Sequence, residues 1–231
     1  MTTITSNWQA VHAAIAAAAR AAGRDPATVD LLAVSKTFPA SAVREAYAVG
    51  QRAFGENYVQ EAVEKMAELA DLPIEWHFIG PIQSNKTRSI AEHFAWVHGV
   101  DRPKIAARLS EQRPAGLPPL NICLQVNISG EDSKSGVRPG EVEALAQAIA
   151  GLPNLRLRGL MAIPAPASGE TERAPFARMR ELQQQLNAHG FRLDTLSMGM
   201  SHDFAAAIHE GATLVRVGTA IFGPRNYGET T

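Results

Sequence analysis

Leu31-Leu32-Ala33-Val34-Ser35-Lys36-Thr37-Phe38-Pro39 is an apolar run that ends on one cation and then turns. The run has the length and side chains of a buried strand, and Pro39 closes it before a stretch of helical spacing that starts near Ala40. A doubly wound open sheet normally places a glycine-rich phosphate turn after its first strand. Here that turn holds Lys36-Thr37-Phe38-Pro39 instead, so a closed barrel is the preferred architecture. Lys36 itself stands out. An ammonium at a half-buried strand end is costly unless it is paired or deprotonated, and a desolvated lysine is a nucleophile toward aldehydes. The competing reading is a side chain whose tip simply reaches solvent.

Outward from that run the same pattern repeats: a short apolar segment, a polar loop, then an Ala/Glu/Leu stretch of helical period. Eight runs are expected as strands: Leu31 to Ser35, Arg52 to Gly55, Glu75 to Ile79, Ala95 to His98, Asn121 to Asn127, Leu155 to Met161, Leu193 to Leu196 and Leu214 to Val217. Helices are expected from near Ala40, Asn57, Ser84, Arg102, Pro139, Thr171 and Ser201, at the spacing of right-handed βαβ crossovers. The 231 residues suit one α/β domain, 1–231, folded as a (β/α)8 TIM barrel. Residues 1–24 read as an extra N-terminal helix packed on it. Ser6 and Gln9 have capping-box spacing, alanine dominates, and Gly23 with Pro26 ends the segment. Without a basic start this stretch is not an export signal, and no apolar run approaches membrane-span length.

Composition narrows the function. A formal net charge of -1 without a clustered basic face argues against nucleic acid and anionic membranes and favours a small neutral or anionic ligand. The single cysteine, Cys123, excludes an intrachain disulfide and suits a reducing cytoplasm. The seven histidines lack ligand spacing, so no metal site is expected, and His77 reads as a satisfied barrel histidine.

In such a barrel the ligand sits at the strand C-termini, with phosphate often held after strands seven and eight. Two polar, glycine-bearing turns occupy those places. Ser197-Met198-Gly199-Met200-Ser201-His202-Asp203 offers close backbone approach at Gly199 and a cap at Ser201. In Arg216-Val217-Gly218-Thr219-Ala220-Ile221-Phe222-Gly223, Gly218 and Thr219 supply a bare amide and a hydroxyl. Two donor sets facing one point suggest a phosphate. As helix caps and turn formers the same residues would have a purely structural role. Arg216 lies on the eighth strand, and an inward arginine needs an acceptor. A pyridine ring nitrogen is one such partner. Lysine, phosphate cup and arginine together describe pyridoxal 5'-phosphate.

The chain also resembles the pyridoxal phosphate homeostasis proteins over nearly its whole length. The resemblance is carried by Ala33-Val34-Ser35-Lys36, Phe54-Gly55-Glu56-Asn57-Tyr58-Val59-Gln60-Glu61, His77-Phe78-Ile79-Gly80-Pro81-Ile82-Gln83-Ser84-Asn85-Lys86, Gly159-Leu160-Met161, Ser197 to Ser201 and Val215 to Gly223. It implies the barrel of the alanine racemase N-terminal domain, the fold-type III arrangement of pyridoxal phosphate enzymes. It implies further that Lys36 forms the internal aldimine, that Ser201, Gly218 and Thr219 bind phosphate, that Arg216 faces the pyridine nitrogen and that Asn57 lies near the ring. Asn57 has a second reading as a helix cap with Gln60. Lys134, in the loop after the fifth strand, has two readings, a side chain that reaches the same face and a solvated loop lysine, of which the second is preferred. Racemases on this barrel carry a second, β-rich domain that supplies a catalytic tyrosine, whereas this sequence stops at Thr231. The expectation is therefore a carrier that stores, buffers and hands on the cofactor, with no catalytic residue and with pyridoxal phosphate-dependent apo-enzymes as its partners. The alternatives are a small racemase using Tyr58 or His202 as second base and a Schiff-base aldolase. A monomer is expected, with a weak dimer through an exposed helix as the other possibility.

Overall fold

The computed structural model describes residues 3–131, 134–166 and 172–224. Eight strands alternate with helices: β1 Asp30–Val34, β2 Ala53–Glu56, β3 Glu75–Phe78, β4 Trp96–Val100, β5 Leu120–Gln125, β6 Leu155–Met161, β7 Thr195–Met200 and β8 Leu214–Val217. All pair in parallel with their chain neighbours, and β8 returns to β1 through Leu32↔Arg216 and Ala33↔Val217, so the barrel is closed. Closure leaves no strand edge to cover. Most strand positions are buried on both faces, as parallel strands sandwiched between bore and helices must be.

All eight expected runs are strands; five of them shift by one or two residues at their ends, and the largest difference is at β7, which was expected over Leu193 to Leu196. Ser197 to Met200 belongs to β7 rather than to a turn. Pairing with β8 steps from Ser197↔Leu214 to Met200↔Arg216, leaving one extra residue in β7, and Gly199 takes φ +91° there. The glycine makes a bulge inside the strand, not the end of it.

Helix caps were the least legible detail. Helix α1, Ile4–Ala21, starts with a Thr3–Ser6 capping box instead of one built from Ser6 and Gln9. Helices α2, Ala40–Ala48, and α3, Val59–Glu68, follow β1 and β2. Tyr58, not Asn57, is the N-cap residue of α3. After β7, α8 covers Phe204–His209 with Asp203 at its N-cap, so Ser201 does not cap it. Instead the Asp203 carboxylate accepts from the Met200 N–H. Helices α4, Thr87–His93, α5, Pro103–Gln112, and α6, Val142–Ala150, follow β3, β4 and β5, while α7, Ala174–Ala188, precedes β7 and α9, Thr219–Phe222, follows β8. The expected helix start at Thr171 and the tail Arg225 to Gly228 lie outside the described residues.

Helix α1 packs on α8 and α9 across the closing seam of the barrel. Polar side chains fasten it: Asn7 donates to the Ile221 carbonyl of α9, and Arg24 donates to the Ile208 and Ala212 carbonyls at the end of α8. Its apolar stripe, Val11, Ile15 and Ala19, is buried in the main core.

Candidate functional site

Every strand of a barrel points its C-terminal end at one mouth, and the expected site residues converge there. Lys36 follows β1, Asn57 follows β2, Ser201 follows β7, Arg216 stands in β8, and Gly218 and Thr219 open α9. All six line one cavity of about 290 Å³, with Ile79, Ile163 and His202. That volume is at the small end of ligand pockets, which run to about 300–1,000 Å³. An adjoining cavity of about 240 Å³ shares Asn57, Ile79 and Ile163 and reaches Lys134. A larger hollow of about 560 Å³ lies at the opposite mouth, where none of these residues is present.

The phosphate-type donors have a plain origin. The leading N–H groups of a helix have no partner within it, so the first turn of α9 offers its amides beside the Thr219 and Ser201 hydroxyls. Phe38 stacks on Phe222 with centroids 5.1 Å apart, which ties the Lys36 loop to the end of α9. Asn57 carries a buried side-chain oxygen with no hydrogen-bond partner among the described residues. Such an atom costs free energy unless a ligand meets it. Gly80 lets the Asn57 backbone sit this close, because a Cβ there would fall 2.5 Å from the Asn57 carbonyl oxygen.

Arg216 is 5% exposed and directed into the bore. Its guanidinium donates to the Ser197 carbonyl at 2.6 Å, to the Ser197 hydroxyl at 2.7 Å and to the Ala162 carbonyl at 2.8 Å. Burial pulls its pKa down to about 10, with Asp203 acting the other way, so it stays a cation at neutral pH. The acceptors that an inward arginine requires therefore come from β7 and from Ala162, just past β6. His77 is satisfied as expected, with His98 and Glu75 on its two ring nitrogens.

One further feature was not read from the sequence. Lys65 on α3 is buried and donates to the Ser35 carbonyl, to Glu56 and to Glu61 at 2.9, 2.6 and 3.0 Å. Glu56 also accepts from the Ser35 hydroxyl, and Glu61 accepts from the Thr37 N–H. Both neighbours of Lys36 are thus tethered, and Thr37 is held at φ +68°, a left-handed conformation that a β-branched residue rarely adopts. The i,i+4 spacing of Glu61 and Lys65 was the available signal. Lys134 is half-buried and paired with Glu131 at 3.1 Å, not a solvated loop lysine. Tyr58, by contrast, is 52% exposed and does not line the cavity. Cys123 is buried and its thiol is pushed up to about 12, which leaves it inert.

Residues 4–226 match the family described as alanine racemase, N-terminal domain. A pyridoxal phosphate homeostasis protein of Pseudomonas aeruginosa is 70% identical over 99% of this chain and 98% of its own length. The chain belongs to the pyridoxal phosphate homeostasis protein family. A member from Escherichia coli K12 is 54% identical over 99% of this chain and all of its own. Among solved structures, PipY of Synechococcus elongatus with PLP bound is similar at a TM-score of 0.80 and 43% identity, covering 90% of this chain and 100% of that one. Alanine racemase from Corynebacterium glutamicum shares the fold at a TM-score of 0.70 and 20% identity, and this chain spans 61% of it.

Proposed function

We propose that this protein binds pyridoxal 5'-phosphate as cargo, holding it covalently on Lys36 and releasing it to acceptors, and that it catalyses no efficient reaction of its own. The observation that carries the reading is the convergence of Lys36, Asn57, Ser201, Arg216, Gly218 and Thr219 on one cavity. Family membership and the PLP-bound relative support it.

Bound cofactor supplies an aldehyde and an electron-accepting ring. The residues do the rest. The Lys36 amine condenses with the aldehyde, forming a C=N bond and releasing one water, and the bond reverses by hydrolysis or by exchange with another amine. Ser201, Thr219 and the amides of Gly218 and Thr219 hold the phosphate. Asn57 presents its buried side-chain oxygen at the ring's edge. Arg216 donates to the ring nitrogen and, being a cation, leaves that nitrogen unprotonated, which weakens the ring as an electron sink. A weak sink suits storage better than turnover. On this reading residues 1–231 act as one cytoplasmic, monomeric binding unit whose partners are pyridoxal phosphate and the apo-enzymes that receive it.

The visible absorption spectrum with added pyridoxal phosphate, before and after borohydride, tests this. The expected result is a visible band that reduction fixes onto Lys36 in a peptide map and that Lys36→Ala abolishes. No band in the unsubstituted protein, or an adduct elsewhere, would overturn the reading. A single-domain racemase has one observation in its favour, His202 beside Lys36 in the cavity. Rapid exchange of the α-hydrogen of an added amino acid, lost in His202→Ala, would favour that alternative over a carrier.

A further inference from the structure

The bore of the barrel holds a continuous chain of side chains below the cavity. Arg216 Nη1 meets Ser197 Oγ at 2.7 Å, Ser197 Oγ meets His98 Nδ1 at 2.8 Å, His98 Nε2 meets His77 Nδ1 at 2.9 Å, and His77 Nε2 meets Glu75 Oε1 at 2.9 Å. Ser197 and His98 are wholly buried and His77 nearly so, while Glu75 emerges half exposed at the opposite mouth. The chain therefore crosses the barrel from one end to the other.

Its direction follows from its two ends. A guanidinium only donates and a carboxylate only accepts. With neutral imidazoles, His77 must donate from Nε2 to Glu75 and accept at Nδ1 from His98 Nε2–H. His98 must then accept at Nδ1 from the Ser197 O–H, which leaves the Ser197 oxygen to accept from Arg216. Every hydrogen points toward Glu75, so each bond polarises the next. Burial lowers the pKa of both histidines, which keeps them neutral, as this order requires.

We propose that His98, with His77 and Glu75 behind it, is a positioning residue for Arg216: it orients the Ser197 hydroxyl so that the negative charge of Glu75 is felt at the guanidinium facing the cofactor. This rests on the binding reading above and extends it to the far mouth, where Glu75 stands with Asp30 on β1, Arg158 on β6, Asp194 paired with Arg158, Arg52 ahead of β2 and His12 on α1. At the near mouth Arg216 faces Lys36 and His202 around the cavity, with Asp203 and Cys123 close enough to shift it. Taking charge from Glu75 weakens the acceptor end of the chain and makes Arg216 more electropositive. A proton on the Lys36 nitrogen, when that nitrogen is bonded to the cofactor aldehyde, then becomes harder to hold.

The test is the pH midpoint of the visible band in Glu75→Gln, which keeps an acceptor for His77 but removes the charge. The expected result is full loading with a midpoint lowered by about half a unit to one unit. In Ser197→Ala, which interrupts the chain, adding Glu75→Gln should produce no further shift. His98→Leu, which neither donates nor accepts, cuts the chain one link nearer Glu75 and replaces Ser197→Ala if the latter does not fold. An unmoved midpoint in Glu75→Gln overturns the proposal, and so does a shift that survives the interruption, because it would be charge acting through space. Absence of any band in the unsubstituted protein is distinguishable from both and removes the binding reading together with the relay.

Discussion

Lys65 shows how a site can depend on a residue that never touches the ligand. It is buried with Glu56, the Glu56 carboxyl is pushed up by burial and pulled back by Lys65, and the pair holds Ser35 while Glu61 holds Thr37. A buried pair adds little net stability, but removing one partner strands the other charge. Lys65→Met is therefore expected to destabilise the fold by about 3–5 kcal/mol in denaturant titrations, and Lys65→Met with Glu56→Leu to recover most of that loss. Recovery of stability without recovery of cofactor loading would show the tethering of Lys36 directly. Lys36 was legible because a charged residue closing an apolar run stands out from the residues before it. Lys65 was not, because helical spacing says which positions are buried and leaves open which charged tips meet beneath a neighbouring loop.

Strand β7 carries the corresponding lesson for an element. Its sequence contains a glycine and two methionines, and the glycine reads naturally as a turn. In the fold it sits at φ +91°, where a Cβ would meet the Ala207 Cβ at 2.6 Å and the Phe204 Cα at 3.0 Å. The extra residue pushes β7 onward past Gly199, so Ser201 reaches the cavity while Ser197 stays beneath Arg216. Gly199→Ala combines a left-handed backbone with a clash against α8 and is expected to lower stability by about 2–4 kcal/mol, measurable as a lower unfolding midpoint. The other seven strands were recognisable because buried parallel strands are continuous apolar runs between polar loops. A bulge depends on pairing with a distant strand, and local pattern carries no trace of that.

The whole barrel was legible because eight such runs, with helices between them, leave few other right-handed closures. What the pattern could not convey is the polar interior of the bore, and that interior sets the molecule's response to acid. His77 and His98 are kept neutral by burial, so their folded pKa values lie below the ordinary 6.5. In the unfolded chain both take up protons near pH 6.5, and the native state resists doing so. Their contribution to stability is thus present above that pH and falls away as the solution is acidified, by at most about 1.4 kcal/mol per pH unit for each ring. Unfolding midpoints in urea should be level from pH 8 to 7 and decline from pH 6.5 to 5. His98→Gln, if it folds, should flatten part of that decline.

Closure of β1 onto β8 also has a cost in time. About 180 residues separate the two partners, and at the usual 5–20 residues per second a ribosome needs roughly 10–40 s to make them. Through that interval β1 stands complete with one edge unpaired, and α1 waits for α8 and α9, against which it packs. The nascent chain is thus longest at risk of sticking to its neighbours through β1 and α1.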